Sequence, residues 1–307
     1  MKSEPIYVEI AMNTEMERLW EYTQSPQLHQ QWDLRFSEIL YLPRTDDREP
    51  QRFLYRTRIG FGLSVAGEGE TMGTTEKNGV KTSVLKFSSG QSVSLIREGA
   101  GFWRYVPQGD GRIRFLTRYD YQTRFGAFGR LLDRFLFRPL MGWATAWSFD
   151  CLRLWLEKGI PPHLSGAKAL THTVCLAALS FDWIYQGVVP KLLYPNSGEL
   201  EILGGTGWFS GSELEVIRLM GAAEVVFGLL TLAAGSRYGR LVYWLHIILL
   251  TGLGLSAAGH PLTYVEPFNP VTLNLSMIAI AFIGLLQLRD LPSARRCLRR
   301  PERREEA

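Results

Sequence analysis

Cysteine is scarce in this sequence. The 307 residues include three cysteines, Cys151, Cys175 and Cys297, which are widely separated along the chain. No CxxC pair and no zinc-ligand spacing occurs, so the sequence offers neither a dithiol redox centre nor a structural metal site.

Several catalytic signatures are also missing. The chain contains no glycine-rich phosphate loop followed by Lys-Ser/Thr, no HExxH and no GxSxG. The net charge of +4 is too small to indicate a nucleic-acid partner. These absences leave no recognisable set of nucleophile, base or metal ligands, and they leave open whether the chain is an enzyme.

Long apolar runs, by contrast, are abundant in the second half. A bilayer crossing needs about 17 to 25 apolar residues, and four segments approach or reach that length: 170–189, 216–234, 241–258 and 271–288. We predict that they are four transmembrane helices. The alternative, a soluble bundle of buried helices, would leave too little polar surface for four such runs in succession.

Charge in the connections predicts the orientation of these helices. The first and third connections contain no Lys or Arg, whereas the second, "GSRYGR", and the tail after Leu288 are rich in arginine. The positive-inside rule then places both termini in the cytoplasm. The beginning of the chain lacks the long apolar core of a signal peptide, which agrees with a cytoplasmic first domain in a multi-pass inner-membrane protein. For the basic tail, residues 291–307, two interpretations remain: a solvated topology signal, or a contact with anionic lipid.

The first 160 residues predict an α+β domain. A strand-like "PIYVEIAMN" is followed by two short helices, the first with a capping box from Thr14 to Glu17. Six stretches between residues 52 and 124 alternate as strands do, among them "QSVSLIREG". Apolar residues at helical spacing then predict one long helix over 129–158. The expected result is one antiparallel sheet with a long C-terminal helix against it.

This order of elements resembles the SRPBCC superfamily, the START-like or polyketide-cyclase-like helix-grip fold. "LWEYTQSPQLHQQWDLRFSEI" and "FGRLLDRFLFRPLMGWATAWSFDCLRLWLEKG" carry the resemblance, which covers residues 1–160. The second half resembles the DoxX-like family over residues 168–290, through "FDWIYQGVVPKLLYP" and "IRLMGAAEVVFGLL". The predicted fold is therefore an α+β helix-grip domain followed by an all-α four-helix transmembrane bundle.

The first resemblance implies a hydrophobic ligand between sheet and helix. Alternation places aromatic side chains on one face of two strands, and the long helix adds two tryptophans, so the predicted cavity residues are Phe53, Tyr55, Phe115, Tyr119, Tyr121, Trp143 and Trp147. The same residues would also make an ordinary packed core. The DoxX-like resemblance implies a module sometimes linked with quinone or thiosulfate oxidation. No cofactor is evident from the residues, and a quinone is the one that this resemblance leaves open.

Ionisable residues inside the apolar segments predict a second site. Helical rise places Asp182 at a height between Arg218 and Glu224. We predict an intramembrane polar cluster of these three, with Gln186 and Asn274 at nearby levels. It is either a site for a quinone-like molecule, a polar-headed lipid or a proton, or a structural ion pair. Lys191 is expected to snorkel to the outer interface, and His246 to be a hydrogen-bonded packing residue.

Three functions follow from this combination. The first is a membrane-tethered START-like protein that binds or transfers a hydrophobic small molecule or lipid. The second is a membrane oxidoreductase or quinone-associated enzyme, and the third is a structural anchor. The expected partners are the lipid bilayer, an apolar ligand and no nucleic acid, and a homo-oligomer formed through the bundle stays open.

Overall fold

The computed structural model describes residues 4–44, 46, 49–60, 62–196, 198–205, 207, 209–256 and 269–301. They form two compact units: residues 1–166 together with 292–307, and residues 167–291. The predicted third connection, 259–270, and the end of the tail lie largely outside the described residues.

The first unit is a seven-stranded antiparallel sheet with helices on one face. In chain order, its elements are β1 (Ile6–Met12), α1 (Met16–Gln24), α2 (Pro26–Trp32), β2 (Glu38–Tyr41), β3 (Gln51–Gly60), β4 (Leu63–Lys77), β5 (Val80–Ser88), β6 (Ile96–Pro107), β7 (Ile113–Thr123), α3 (Gly126–Leu132), a π-helical turn (Asp133–Phe137) and α4 (Arg138–Lys158). The strand order is β1-β7-β6-β5-β4-β3-β2. This topology confirms the predicted antiparallel sheet with a long C-terminal helix.

Two local predictions in this unit are wrong. The helix α1 begins after Glu15 and has no side-chain cap, so Thr14 is one residue too early to form the capping box. The segment "QSVSLIREG" is not a separate strand, because β6 begins at Ile96. Before that residue, Ser94 closes a turn by donating its N–H to the carbonyl of Gln91.

Glycines let aromatic rings lie flat on the inner face of the sheet. Each of four aromatic residues stands directly opposite a glycine on the neighbouring strand; the pairs are Phe53 with Gly69, Tyr55 with Gly67, Phe87 with Gly99, and Tyr119 with Gly101. A Cβ atom at any of these glycines would collide with the ring or side chain opposite. The rings therefore occupy space that a side chain would otherwise fill.

A buried ionic group fixes α2 on the sheet. The Arg35 guanidinium donates to Asp33 through Nε (2.8 Å) and Nη2 (2.6 Å), and His29 Nε2 lies 3.0 Å from the same carboxylate. Burial raises the pKa of Asp33, but the charge and hydrogen bonds of Arg35 and the hydrogen bond from His29 outweigh it and hold the pKa well below its usual range. For His29, burial dominates and lowers the pKa, so the imidazole is neutral at pH 7.

The end of the described chain returns to this unit. The strand β1 is an edge of the sheet, and Glu9 exchanges two backbone hydrogen bonds of 2.9 Å with Leu298. Asp150 of α4 accepts from the backbone N–H of Ser293 at 2.7 Å and from Arg296 at 3.0 Å. Part of the segment predicted as a basic tail thus belongs to the first unit.

The second unit is helical. It contains most of α5 (Pro162–Gly187), a π-helical turn (Val188–Leu193), α6 (Gly198–Gly205), α7 (Glu213–Ser256) and α8 (Pro270–Gln287). Two described helices, Glu213–Leu255 and Pro270–Gln287, are long and apolar enough to cross a membrane. Four crossings are therefore not confirmed. The predicted helix 216–234 and the described part of the predicted helix 241–258 are the two halves of α7, which has non-helical backbone at Tyr238 between them; residues 257 and 258 lie outside the described residues.

The glycine–aromatic pairing predicts a position-specific loss of stability. We expect Gly101→Ala to lower the unfolding free energy by about 1 to 3 kcal/mol through overpacking, because the new Cβ would lie 2.8 Å from the Arg118 carbonyl oxygen. The control is Gly90→Ala, which meets open space. Thermal melting of the two purified variants measures the difference, and equal melting temperatures would contradict it.

The buried ionic group predicts a loss of stability in acid. The folded-state pKa of His29 is depressed, so its contribution is complete above the unfolded pKa of about 6.5 and is lost as the pH falls below that value. Asp33, also depressed, loses its contribution below about pH 4. Melting temperatures measured from pH 8 to pH 3 should show the loss due to His29, below about pH 6.5, in the wild type and in the exposed control His163→Gln. The same loss should be smaller in His29→Gln. If this loss of stability were the same in all three proteins, titratable groups other than His29 would be its cause.

Candidate functional site

Most of the predicted cavity residues in the first unit are packed rather than free. Phe115 is fully buried and stacks on Phe149 with ring centroids 4.5 Å apart, and the Tyr119 hydroxyl is 2.9 Å from Thr145 Oγ1. Phe53 and Tyr55 are half-buried over their glycines. This part of the space between sheet and helix is a protein core.

The two predicted helix residues also lie outside a cavity. Trp143 is 44% exposed, and Trp147 is half-buried with its ring centroid 6.5 Å from that of Trp143. Neither lines the groove of this unit.

An open groove of about 2130 Å³ lies beside the packed core. The end of β7, the first turns of α3 and α4, and parts of β1 and β3 to β6 contribute to its walls. Tyr121 is the one predicted cavity residue among the described lining residues. Apolar surface comes from Ile6, Phe87 and Leu131, and charged side chains of both signs surround it.

A hydrogen-bonded group stands in the groove wall. The Tyr121 hydroxyl donates to Asp133 Oδ1 at 2.7 Å, and Arg138 Nε donates to Asp133 Oδ2 at 2.8 Å. Arg138 also donates through Nη1 to Asp120 (2.9 Å) and to the Glu4 carbonyl (2.7 Å). Its Cζ lies 4.5 Å from the Tyr121 ring centroid, a cation–π contact.

The chemistry of this group follows from its burial. Burial and the hydrogen bond to Asp133 raise the pKa of Tyr121, so the phenol stays neutral and acts as a donor. Arg138 Nη2 is buried and has no hydrogen-bond partner among the described residues. The guanidinium therefore keeps an unused donor beside the groove, which suits an oxygen acceptor such as a carboxylate, phosphate or carbonyl.

Sequence analysis missed Asp133 and Arg138. Asp133 occurs in an otherwise amphipathic helical segment, and it is 3% exposed at the position where a π-helical turn begins. A lone acidic residue among Arg130, Arg134 and Arg138 was the available signal. The partner, Tyr121, lies on another element and could not be assigned from spacing.

The second unit has a buried ionic cluster with a different membership from the predicted one. Lys191 is 4% exposed, and its Nζ lies 2.9 Å from Glu224 Oε2 and 2.8 Å from Glu199 Oε2. It therefore does not snorkel to an interface as predicted. Arg218 is exposed, and no ion pair joins it to Asp182 or Glu224 among the described residues. The π-helical turn over Val188–Leu193 carries Lys191 to the carboxylates, a rotation that the regular helical rise used for the prediction does not include.

The remaining predicted members are dispersed. Asp182 is half-buried on α5, and Asn274 donates to the Leu250 carbonyl at 3.4 Å. Gln186 is nearer to the cluster, since its backbone carbonyl lies 3.4 Å from Lys191 Nζ. His246, as expected, is a buried packing residue, with Nδ1 2.8 Å from the Val242 carbonyl.

The observed cluster predicts that Lys191 stabilises the second unit and that Arg218 does not. We expect Lys191→Met to cost about 3 kcal/mol, the lower end of the range for breaking a buried ion pair, because the Glu199 side chain is 34% exposed. Arg218→Met, an equal change at an exposed position, should change stability by less than about 0.5 kcal/mol. Melting temperatures of the detergent-purified variants measure both. A larger loss from Arg218→Met would restore the cluster predicted from the sequence.

Comparisons with known proteins agree with a membrane domain. Residues 180–282 match the DoxX-like family. The uncharacterized membrane protein YndG of Bacillus subtilis is 50% identical over 188 residues, which cover 61% of this chain and 70% of YndG.

Solved structures similar to the chain have low identity and low overall superposition scores. A START superfamily protein from Mycobacterium smegmatis has a TM-score of 0.39 and 13% identity, covering 52% of this chain and all of that protein. TTHA0849 from Thermus thermophilus has a TM-score of 0.35 and 15% identity, covering 45% of this chain and 86% of that protein. The identity to YndG and the match to the DoxX-like family settle the classification: the chain belongs to the YndG family of membrane proteins and carries a DoxX-like domain in its second half.

Proposed function

We propose that this protein is a membrane-tethered START-like protein whose first unit binds an apolar small molecule or lipid with an oxygen-bearing head group. The observation that carries the proposal is the groove, in which an apolar surface adjoins the Tyr121–Asp133–Arg138 group. At about 2130 Å³ the groove exceeds the usual 300 to 1,000 Å³ of a drug-sized pocket, as a long amphiphile requires.

The placement of polar groups supports an amphiphile over a wholly apolar ligand. The inner face of β7 changes from the apolar Phe115 to Tyr121, whose hydroxyl is held by Asp133. A hydrocarbon chain against Phe87 and Leu131 would leave a head group within reach of Arg138. A charge-assisted hydrogen bond there would contribute about 1.5 to 3 kcal/mol.

We further infer that the helical unit crosses the bilayer an even number of times. Residues 1–166 and 292–301 belong to one compact unit, which can lie on one side of a membrane only. The chain therefore has to enter and leave the bilayer on that side. Four crossings, by α5, the two halves of α7 and α8, satisfy this requirement, and the arginine-rich connection near Tyr238 supports a cytoplasmic location for the first unit.

Native mass spectrometry of gently solubilised full-length protein tests the ligand site. We expect a hydrophobic molecule to co-purify with the wild type, and its Kd to rise about tenfold or more in Arg138→Met, read as a lower occupancy, since losing one charge-assisted hydrogen bond costs about 1.5 kcal/mol or more. Arg112→Met is the matched control, because Arg112 is an exposed arginine of the β6–β7 turn that lies outside the groove. Ala127→Trp, which narrows the groove without touching the Arg138 contacts, should reduce occupancy as well.

The pattern of loss separates the candidate sites. A molecule retained by both groove variants but absent from Lys191→Met would move the site to the helical unit and contradict the proposal. If that molecule were a quinone, the oxidoreductase interpretation would replace the one proposed here. Melting curves of all the variants establish that each is folded before occupancies are compared.

A further inference from the structure

The helical segment 126–143 has an unpartnered apolar face. Its exposed apolar residues recur at intervals of three and four, as one side of a helix requires; they are Phe128 (68% exposed), Leu131 (58%), Leu132 (37%), Phe135 (70%), Leu136 (60%), Leu140 (52%) and Trp143 (44%). We refer to these seven residues as the 128–143 face. Side chains of this size are ordinarily among the most buried in a protein, and a continuous stripe of them marks an interaction surface.

The exposed charged residues of this segment have one sign, and they lie on a different side of the helix from the 128–143 face, along the groove wall. Within the segment, Arg130 and Arg134 are exposed, and Arg138 is half-buried. Asp133, its one acidic residue, is directed inward and neutralised by Arg138. The segment therefore presents no negative charge of its own at the surface, and it combines an apolar stripe on one side with arginines on another.

From these observations we propose that the 128–143 face docks on the surface of an anionic lipid bilayer, as an interfacial helix lying in the head-group region. Phe, Leu and Trp on one side, with arginines on the polar side, is the composition of helices that bury their apolar face about 5 to 10 Å into that region. Each arginine near an anionic surface contributes about 1 kcal/mol. A protein partner would need acidic groups at two specific positions to meet Arg130 and Arg134. A membrane containing anionic lipid presents negatively charged head groups however the protein is rotated in the membrane plane.

The chain itself keeps the segment near a bilayer. Three residues separate α4 from α5, and α5 continues into the helical unit of a membrane protein. From Trp143 to Lys158 the helix spans about 23 Å at 1.5 Å per residue. The first unit is therefore tethered within reach of a lipid surface, and docking requires no free diffusion. This proposal concerns a lipid surface and does not depend on the ligand of the groove.

Spin labelling of the full-length protein in nanodiscs tests the proposal. A nitroxide is attached at Phe135→Cys, and a control nitroxide at Glu76→Cys, an exposed position in the β4–β5 hairpin. The native cysteines are buried, and wild type treated with the same nitroxide reagent checks that they do not react. In nanodiscs containing phosphatidylglycerol we expect the label at 135 to be accessible to oxygen and several-fold less accessible than the control to the water-soluble relaxant nickel-EDDA.

Two further results would overturn the proposal. Nickel-EDDA access at 135 equal to that at 76 would place the face in water, and exclusion of both oxygen and nickel-EDDA would place it against protein, either a second copy or another part of the chain. The charge component is tested by Arg130→Glu combined with Arg134→Glu, which should raise nickel-EDDA access at 135. An unchanged value in that variant, with an unchanged melting temperature, would also contradict docking on an anionic surface.

Discussion

Contact between the inner face of β7 and the helix α4 determines which part of the first unit's interior is filled by side chains and which part is an open groove. Phe115 stacks on Phe149, and four and six residues further along the same face the interior side chains each carry a hydroxyl with a specific partner. Tyr119 meets Thr145 of α4, and Tyr121 meets Asp133 ahead of it. The aromatic packing therefore ends in a hydrogen-bonded group rather than in hydrocarbon. The groove begins at that end, where the polar atoms of this group can bind water or a polar atom of a ligand.

The sequence predicted most of the regular elements of the first unit because their pattern is local. Alternation predicted β1 and β3 to β7 but not the short β2, and a helical repeat predicted the long terminal helix. Alternation of apolar and polar residues along the strands did not distinguish an interior filled by side chains from one that contains a cavity. The glycines opposite Phe53, Tyr55 and Phe87 are visible in the sequence, but the register that pairs each ring with its glycine is a property of the folded sheet.

The candidate sites were harder to predict for a related reason. Heights along ideal helices placed Asp182, Arg218 and Glu224 together, yet Lys191 is the cation that reaches Glu224. The two charge groups that sequence analysis missed or misassigned both involve π-helical turns, one at Asp133–Phe137 and one at Val188–Leu193. Such a turn inserts an extra residue and rotates the side chains that follow, so a charge moves to another face of the helix. Nothing in residue spacing reveals this rotation. By contrast, His29 lies in the last turn of α2, Asp33 directly follows that helix four residues later, and Arg35 is close behind, a spacing that makes their association readable from sequence.

The return of residues 292–301 to the first unit has a consequence for biosynthesis. Ala294 and Cys297 are part of the same hydrophobic core as β1 and β7, and Leu298 covers the edge of β1. The ribosome makes these residues after all of the helical unit, which adds about 125 residues and, at 5 to 20 residues per second, roughly 6 to 25 s. Throughout that interval the first unit has its sheet but neither the last part of its core nor the cover of its edge strand. Completion of the domain that emerges first thus waits for synthesis of the membrane segment, and a chain arrested before residue 292 would expose an open sheet edge to chaperones and proteases.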